Sequence, residues 1–327
     1  MGQEISGRLS RRAVLGAGAA TAALSAAPAE AAARPIPIID THIHLFDPNR
    51  PQGAPYAGPP NSPTHKSGAF PAIYAKIARP LGIVGAIEVE ASPWVEDNLW
   101  VLEVAQANDI MVGTVGNLKP EAADFGELLG RFHKNPLFRG IRHGNLWGYD
   151  MPAQAKDPAF IAGLKLLAQA DLVLDTANQN LALLQATVQV SDAVPDLRIV
   201  IDHLPAYDPR PEEMAGYESA LRELKARPQV FAKISEVIHT RNGKTPLDLA
   251  AYRSRLDRLY ETFGEDRILF GSDWPNSDGV APVSKVLGLV KSYFVGKPRR
   301  VQEKYFWKNS VRAYKWVRRA PDQPKLA

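Results

Sequence analysis

Cysteine is absent from all 327 residues of the chain. That single absence excludes disulfides, thiolate metal sites and thiol nucleophiles together, and it suits an oxidising compartment. Long apolar runs are missing too. Past residue 33 no segment reaches the roughly 18 uncharged apolar residues that a membrane-spanning helix needs. Charge of one sign is scarce. Lys and Arg exceed Asp and Glu by 39 to 35, a net +4. Residues 1–33 hold three Arg and two Glu, which leaves +3 for the rest. No basic stripe with interleaved aromatics occurs, so a nucleic-acid surface is not expected. No GxGxxG follows the first strand-like run, which removes the main support for a dinucleotide site. Histidine is also rare, at seven residues, yet IIDTHIH places His42 and His44 one residue apart at the end of an apolar run. In a strand of period two, Asp40, His42 and His44 are expected on one face.

The N-terminus has its own pattern. Arg11 and Arg12 precede a mildly apolar Ala- and Gly-rich stretch that runs to Ala33, with Ala27-Pro28-Ala29 and Ala31-Ala32-Ala33 as small-residue cleavage sites. This is the layout of a bacterial twin-arginine export signal. Residues 1–33 are therefore read as a leader, and 34–327 as a single mature domain in the periplasm or outside the cell, free of the membrane once the signal is removed.

Eight short apolar runs follow, at 35–42, 82–91, 110–118, 138–143, 171–176, 197–204, 229–235 and 267–273. Amphipathic segments separate most of them, at 96–109, 121–134, 159–170, 180–194, 215–226 and 249–264, the last stopped by Gly264. Two more helical pieces are expected at 280–294 and 300–317. Strand and helix in alternation predict an α/β fold with a parallel sheet, and eight repeats favour a closed (β/α)8 TIM barrel over an open doubly wound sheet. The segment Phe46 to Phe70 breaks the alternation with dense Pro and Gly, so no helix is expected to run through it. Such a loop after the first strand is expected to cover the C-terminal face, where barrel enzymes keep their sites.

The C-terminal ends of the runs carry His42 and His44, Glu88 and Glu90, Arg142 and His143, Asp175, His203, Lys233 and Ser235, and Asp273. Buried charges cost several kcal/mol unless paired or metal-bound, so a ring of ionisable strand ends points to chemistry. Glu88 and Glu90 either pair with Arg142 and Lys233 inside the barrel or face a substrate. Trp94, Trp147 and Trp274 follow strand ends; each is either an apolar platform for a ring or packing under a loop.

Five stretches, DTHIHLFDP, FRGIRHG, IVIDHL, FAKIS and FGEDRILFGSDWP, resemble the strand signatures of the amidohydrolase superfamily. Within it they are similar to the amidohydrolase-related (amidohydrolase 2) branch, which holds sugar lactonases and the 2-pyrone-4,6-dicarboxylate lactonase. The likeness spans about residues 36–316, including KYFWKNSVRAYKW with Asn309. It implies a (β/α)8 hydrolase. His42 and His44 match the first-strand pair, His203 the sixth-strand His, and Asp273 the eighth-strand Asp, the usual general base. His42, His44 and Asp273 are the implied metal ligands, for one divalent ion such as zinc, or for none. Asp175 departs from the wider superfamily, where many members place a metal-ligating His, so a two-metal site is not expected.

The expected reaction is opening of a small sugar-type lactone by water, with Asp273 and His203 catalytic and Glu90, Arg142, His143, Asp175, Lys233 and Trp274 around the substrate. A dicarboxylate would need several arginines, and only Arg142 is placed, so a neutral lactone is preferred. A metal-dependent decarboxylase of the same superfamily and an exported solute-binding protein without activity are the alternatives.

Overall fold

The computed structural model describes Met1, residues 35–241 and residues 243–326. Apart from Met1, the expected leader lies outside the described residues. Eight strands pair in parallel in chain order. They are β1 (Ile38–Ile43), β2 (Ile83–Val89), β3 (Met111–Gly116), β4 (Phe138–Gly144), β5 (Val173–Ala177), β6 (Arg198–Ile201), β7 (Val230–Ile234) and β8 (Ile268–Phe270). Each falls within or against one of the eight apolar runs. Parallel strands are covered on both faces, so they are written as nearly continuous Val, Ile, Leu and Ala rather than as alternating sequence.

A helix follows each strand: α1 (Pro71–Ala78), α2 (Asp97–Gln106), α3 (Phe125–Phe132), α4 (Pro158–Gln169), α5 (Leu181–Ala193), α6 (Met214–Lys225), α7 (Arg253–Phe263) and α8 (Val283–Phe294). Local signals set their ends. Asn180 caps α5 by accepting from the Leu183 N–H at 2.8 Å, and Asp157 caps α4 ahead of Pro158. Gly264 stops α7 at φ 65°, as its sequence position suggests. Helix α1 has no counterpart among the amphipathic segments read from sequence; it begins at Pro71, directly after the Pro-rich stretch. That stretch holds a single helical turn, Thr64–Ser67, begun after Pro63.

The ring closes between β1 and the residues after β8. Strand β8 is three residues long, and the Ser272–Trp274 segment takes over the pairing. The Asp273 N–H donates to the His42 carbonyl at 2.8 Å and the His44 N–H to the Trp274 carbonyl at 2.7 Å. Gly271 allows the close approach, because a Cβ there would lie 2.9 Å from the His42 Cβ. Closure therefore brings the two ends of the barrel sequence, IIDTHIH and GSDWP, side by side.

The core has two layers. Ile38, Ile43, Tyr74, Leu102, Phe138 and Leu164 belong to the larger one, between strands and helices. Ile39, Ile87, Val89, Val112, Val115, Val173, Val200, Phe231 and Leu269 fill the barrel interior, joined by Tyr314 at the end of the helix Asn309–Tyr314 and by Trp316 just past it. A register shift between Asp40 and Ile43 breaks the strict alternation of β1. Asp40 consequently does not share a face with the histidines. Its carboxylate accepts from the Tyr74 hydroxyl of α1 at 2.5 Å and from the Ser272 N–H at 2.9 Å, which ties β1 to the closing segment.

Candidate active site

Above the apolar interior lies a layer of buried charge. Lys233 of β7 is fully buried, with its ammonium 2.6 Å from Asp175 and 2.9 Å from Asp202. Asp175 also accepts from the Tyr314 hydroxyl at 2.8 Å. Arg142 of β4 sets its Nε 3.2 Å from Asp202 and its Nη1 3.7 Å from Glu90. Burial pushes Asp175 up to about 7 against the pull of Lys233. Burial raises Asp202 as well, but Lys233 and Arg142 outweigh it and hold that carboxylate below its ordinary range.

On this layer sits the histidine cluster. Asp273 Oδ1 lies 3.1 Å from His44 Nε2, 3.5 Å from His42 Nε2 and 3.7 Å from His203 Nε2. The group forms the floor of a cavity of about 350 Å³. Its walls include Tyr56, Glu90, Arg142, Trp147, Glu236 and Asn276. Burial lowers all three imidazoles, His44 to about 4, so they are neutral near pH 7. Burial raises Asp273 to about 7, although hydrogen bonds from Glu236 and Asn276 favour its charged form.

The hydrogen bonds fix one proton position. His44 Nδ1 faces the Val89 carbonyl at 2.7 Å, so Nδ1 carries the hydrogen. Neutral His44 then turns the lone pair of Nε2 toward Asp273 Oδ1. Two acceptors at 3.1 Å require a proton or a cation between them. A metal fits that requirement. His42, His203 and Asp273 offer ligand atoms all within 4.8 Å of one another, the three-residue set usual for a catalytic divalent ion, and His44 adjoins with its Nε2 3.3 Å from that of His42. His42 has two options at Nδ1. Asp202 at 3.6 Å can accept from Nδ1–H, leaving Nε2 free to bind a metal; Lys233 at 3.1 Å can donate to Nδ1, placing the hydrogen on Nε2.

The cavity gathers His44, Glu90, Arg142, His203 and Asp273 on its wall, with His42 packed against them at the floor. Asp175 and Lys233 stand one layer below. His143 is buried away from the cavity, its ring stacked on Tyr149 at 4.3 Å, and burial lowers it to about 3. Trp274 is fully buried against Tyr74. Trp147 does reach the cavity and donates from Nε1 to Glu90 at 2.9 Å, whereas Trp94 lines a second, smaller cavity. Glu88 faces that second cavity, beside Phe46 and Trp100, and its two buried oxygens have no protein partner.

Four residues of the site escaped the sequence reading. Asp202 directly precedes His203 in IVIDHL, and its charge inside an apolar run was the available signal. Glu236 and Asn276 lie just past strand ends, and Tyr56 comes from the Pro-rich loop. They form one chain: the Tyr56 hydroxyl donates to Asn276 Oδ1 at 2.9 Å, and Asn276 Nδ2 donates to Asp273 at 2.7 Å and Glu236 at 3.2 Å. Tyr56 thereby brings the loop over the site, as the Pro-rich composition suggests.

A parallel (β/α)8 barrel with histidines and an aspartate converging at the strand ends defines an enzyme of metal-assisted or acid–base chemistry. The sequence model of the Amidohydrolase family matches residues 39–316, and the chain belongs to that family. It is similar to the L-fucono-1,5-lactonase of Burkholderia multivorans, 28% identical over 232 residues that cover 68% of this chain and 77% of that protein. Among solved structures, an amidohydrolase from Burkholderia multivorans with bound zinc superimposes at a TM-score of 0.73, with 23% identity over 86% of this chain and 99% of its own. A 5-carboxyvanillate decarboxylase from Novosphingobium aromaticivorans, in complex with manganese, does so at 0.60, with 15% identity over 86% of this chain and 96% of its own.

Proposed function

We propose that the chain opens a small, neutral, sugar-type lactone by water attack, with Asp273 as general base. One observation carries this reading: a single carboxylate oxygen lies 3.1–3.7 Å from three imidazoles at the floor of a cavity. The similarity to an L-fucono-1,5-lactonase supports the substrate type.

In this mechanism the ionised Asp273 takes a proton from water as the water oxygen bonds to the lactone carbonyl carbon. Arg142 and the Nε2–H of His203, whose Nδ1 accepts from the Ser235 hydroxyl at 2.9 Å, hold the oxyanion that forms. Collapse breaks the ring C–O bond, and the proton on Asp273 passes to the departing ring oxygen. The product is the open hydroxy acid, with one water consumed. A divalent metal held by His42, His203 and Asp273 would supply a more acidic water and a polarised carbonyl.

The charge of the cavity favours a neutral substrate. Arg142 is the only Lys or Arg among the described lining residues, and Asp202 and Glu90 already neutralise it. A dicarboxylate would meet Glu90, Glu236 and Asp273 with no unpaired cation to receive it.

The test is a panel of sugar lactones followed by acid release. Turnover is expected for the wild type, and Asp273→Asn should lower kcat/KM by about 10²–10⁴. Release of CO2 from an aromatic acid would assign a decarboxylase instead, and binding of sugar acids with every lactone left intact would assign a solute-binding protein. The leader-like segment adds an exported setting to the proposal. It is checked by sequencing the N-terminus of the protein recovered from the cell envelope, with cleavage expected near residues 31–34.

A further inference from the structure

Among the described residues seven non-glycine positions adopt positive φ, and five of them line the main cavity: Trp147, Asn178, His203, Glu236 and Asp273. Left-handed backbone is disfavoured at such residues and persists where the surroundings enforce it, often at functional sites. Three of the five occupy equivalent places. His203 lies two residues past β6 at φ 50°, Glu236 two past β7 at φ 47°, and Asp273 three past β8 at φ 60°. The same turn of the chain therefore delivers two members of the reacting cluster and one further carboxyl. Glu236 packs beside Asp273, shares the amide of Asn276 with it at 3.2 Å, and faces the cavity.

From this placement we propose that Glu236 determines specificity by holding a hydroxyl on the carbon next to the lactone carbonyl, so that the substrate is an alpha-hydroxy lactone. The inference rests on the lactonase reading and narrows it. Three groups surround a lactone carbonyl carbon: the carbonyl oxygen, the ring oxygen and the neighbouring carbon with its substituent. The first two only accept hydrogen bonds. The third, when it bears a hydroxyl, can donate one. A carboxyl that shares the amide of Asn276 with the base and faces the same cavity stands beside the carbon that the base's water would attack. The lone pairs of its two oxygens that remain beside the contacts with Asp273 and Asn276 are acceptors, which match only the hydroxyl. A sugar-derived lactone carries that hydroxyl, and a deoxy analogue lacks it.

The experiment compares kcat/KM for a pair of aldonolactones that differ only in this hydroxyl. The wild type is expected to prefer the hydroxylated member by about 10–100-fold, the effect of one hydrogen bond to an acidic group. Glu236→Ala should collapse the ratio toward one, and Glu236→Gln should keep part of it. Glu236→Gly suits the left-handed backbone and keeps the test open should the alanine variant not fold. A purely structural role would slow both lactones alike and leave the ratio untouched. An unchanged ratio in the Ala or Gly variant, or no preference in the wild type, overturns the inference while leaving the lactonase reading in place. A protein that opens neither lactone nor any other removes both.

Discussion

Asp273 is shut away from water and faces three neutral imidazoles, so its charge has little solvent support. Burial raises it to about 7. A base works as the carboxylate, and the carboxylate fraction grows as pH rises through that value. In protein stripped of metal, kcat/KM should therefore climb with pH around a midpoint near 7. A pH–rate profile checks this, and the limb should be missing in Asp273→Asn. Lys233 shows the opposite situation, a buried cation with two carboxylates at 2.6 and 2.9 Å. Its removal leaves Asp175 and Asp202 short of their main counter-charge. Lys233→Met should cost about 3–5 kcal/mol of stability, the usual penalty for breaking a buried pair from one side. Denaturant unfolding measures it, and a loss under 1 kcal/mol would mean the carboxylates are accommodated some other way. At this scale the sequence was informative for most ionisable residues that end apolar runs: His42, His44, Arg142, His203, Lys233 and Asp273 gather at or beneath the cavity, whereas Glu88 faces the second one. His143 also ends a run, but it points into the packing around Tyr149, because the pleat and not the residue type decides the face.

At the scale of elements, the loop of residues 46–70 and the turns past the strands build most of the wall. The loop is anchored by Arg50, which meets the Asp97 carboxylate at 2.8 and 3.1 Å and lies over the Trp100 ring at 4.6 Å. Arg50→Ala removes a largely buried two-pronged bond to the start of α2. Local stability of the loop should fall by about 1.5–3 kcal/mol, read as faster amide exchange across residues 46–70 with the strands unchanged. Exchange equal to the wild type would show that Arg50 does not hold the loop. Elements were legible where period and length agree, as in the eight runs and the capped helices. They were not where pairing over long distance decides the outcome. The register shift in β1 turns Asp40 toward α1, and the alternation in β2 sends Ile87 and Val89 inward and Glu88 out to the second cavity. Glu236, Asn276 and Tyr56 belong to turns and a loop whose course no local pattern specifies.

For the whole molecule, closure of the barrel is the event that makes the site. It sets His42 and His44 beside Asp273, with His44 and Asp273 separated by 229 positions in the sequence. The alternation of eight runs with helices favours that closure, because eight is the strand number of the (β/α)8 barrel, although the same alternation also suits an open doubly wound sheet. No helix among the described residues is long and apolar enough to cross a membrane. Turns and loops past the strands shape most of the cavity, so they, more than the ring, select the substrate. The most direct test of the account is the hydrolysis rate of an L-sugar 1,5-lactone by wild type and Asp273→Asn, measured side by side at the same folded concentration. Turnover by the wild type with a loss of about 10²–10⁴ in the variant is the predicted result; full activity in the variant would contradict it.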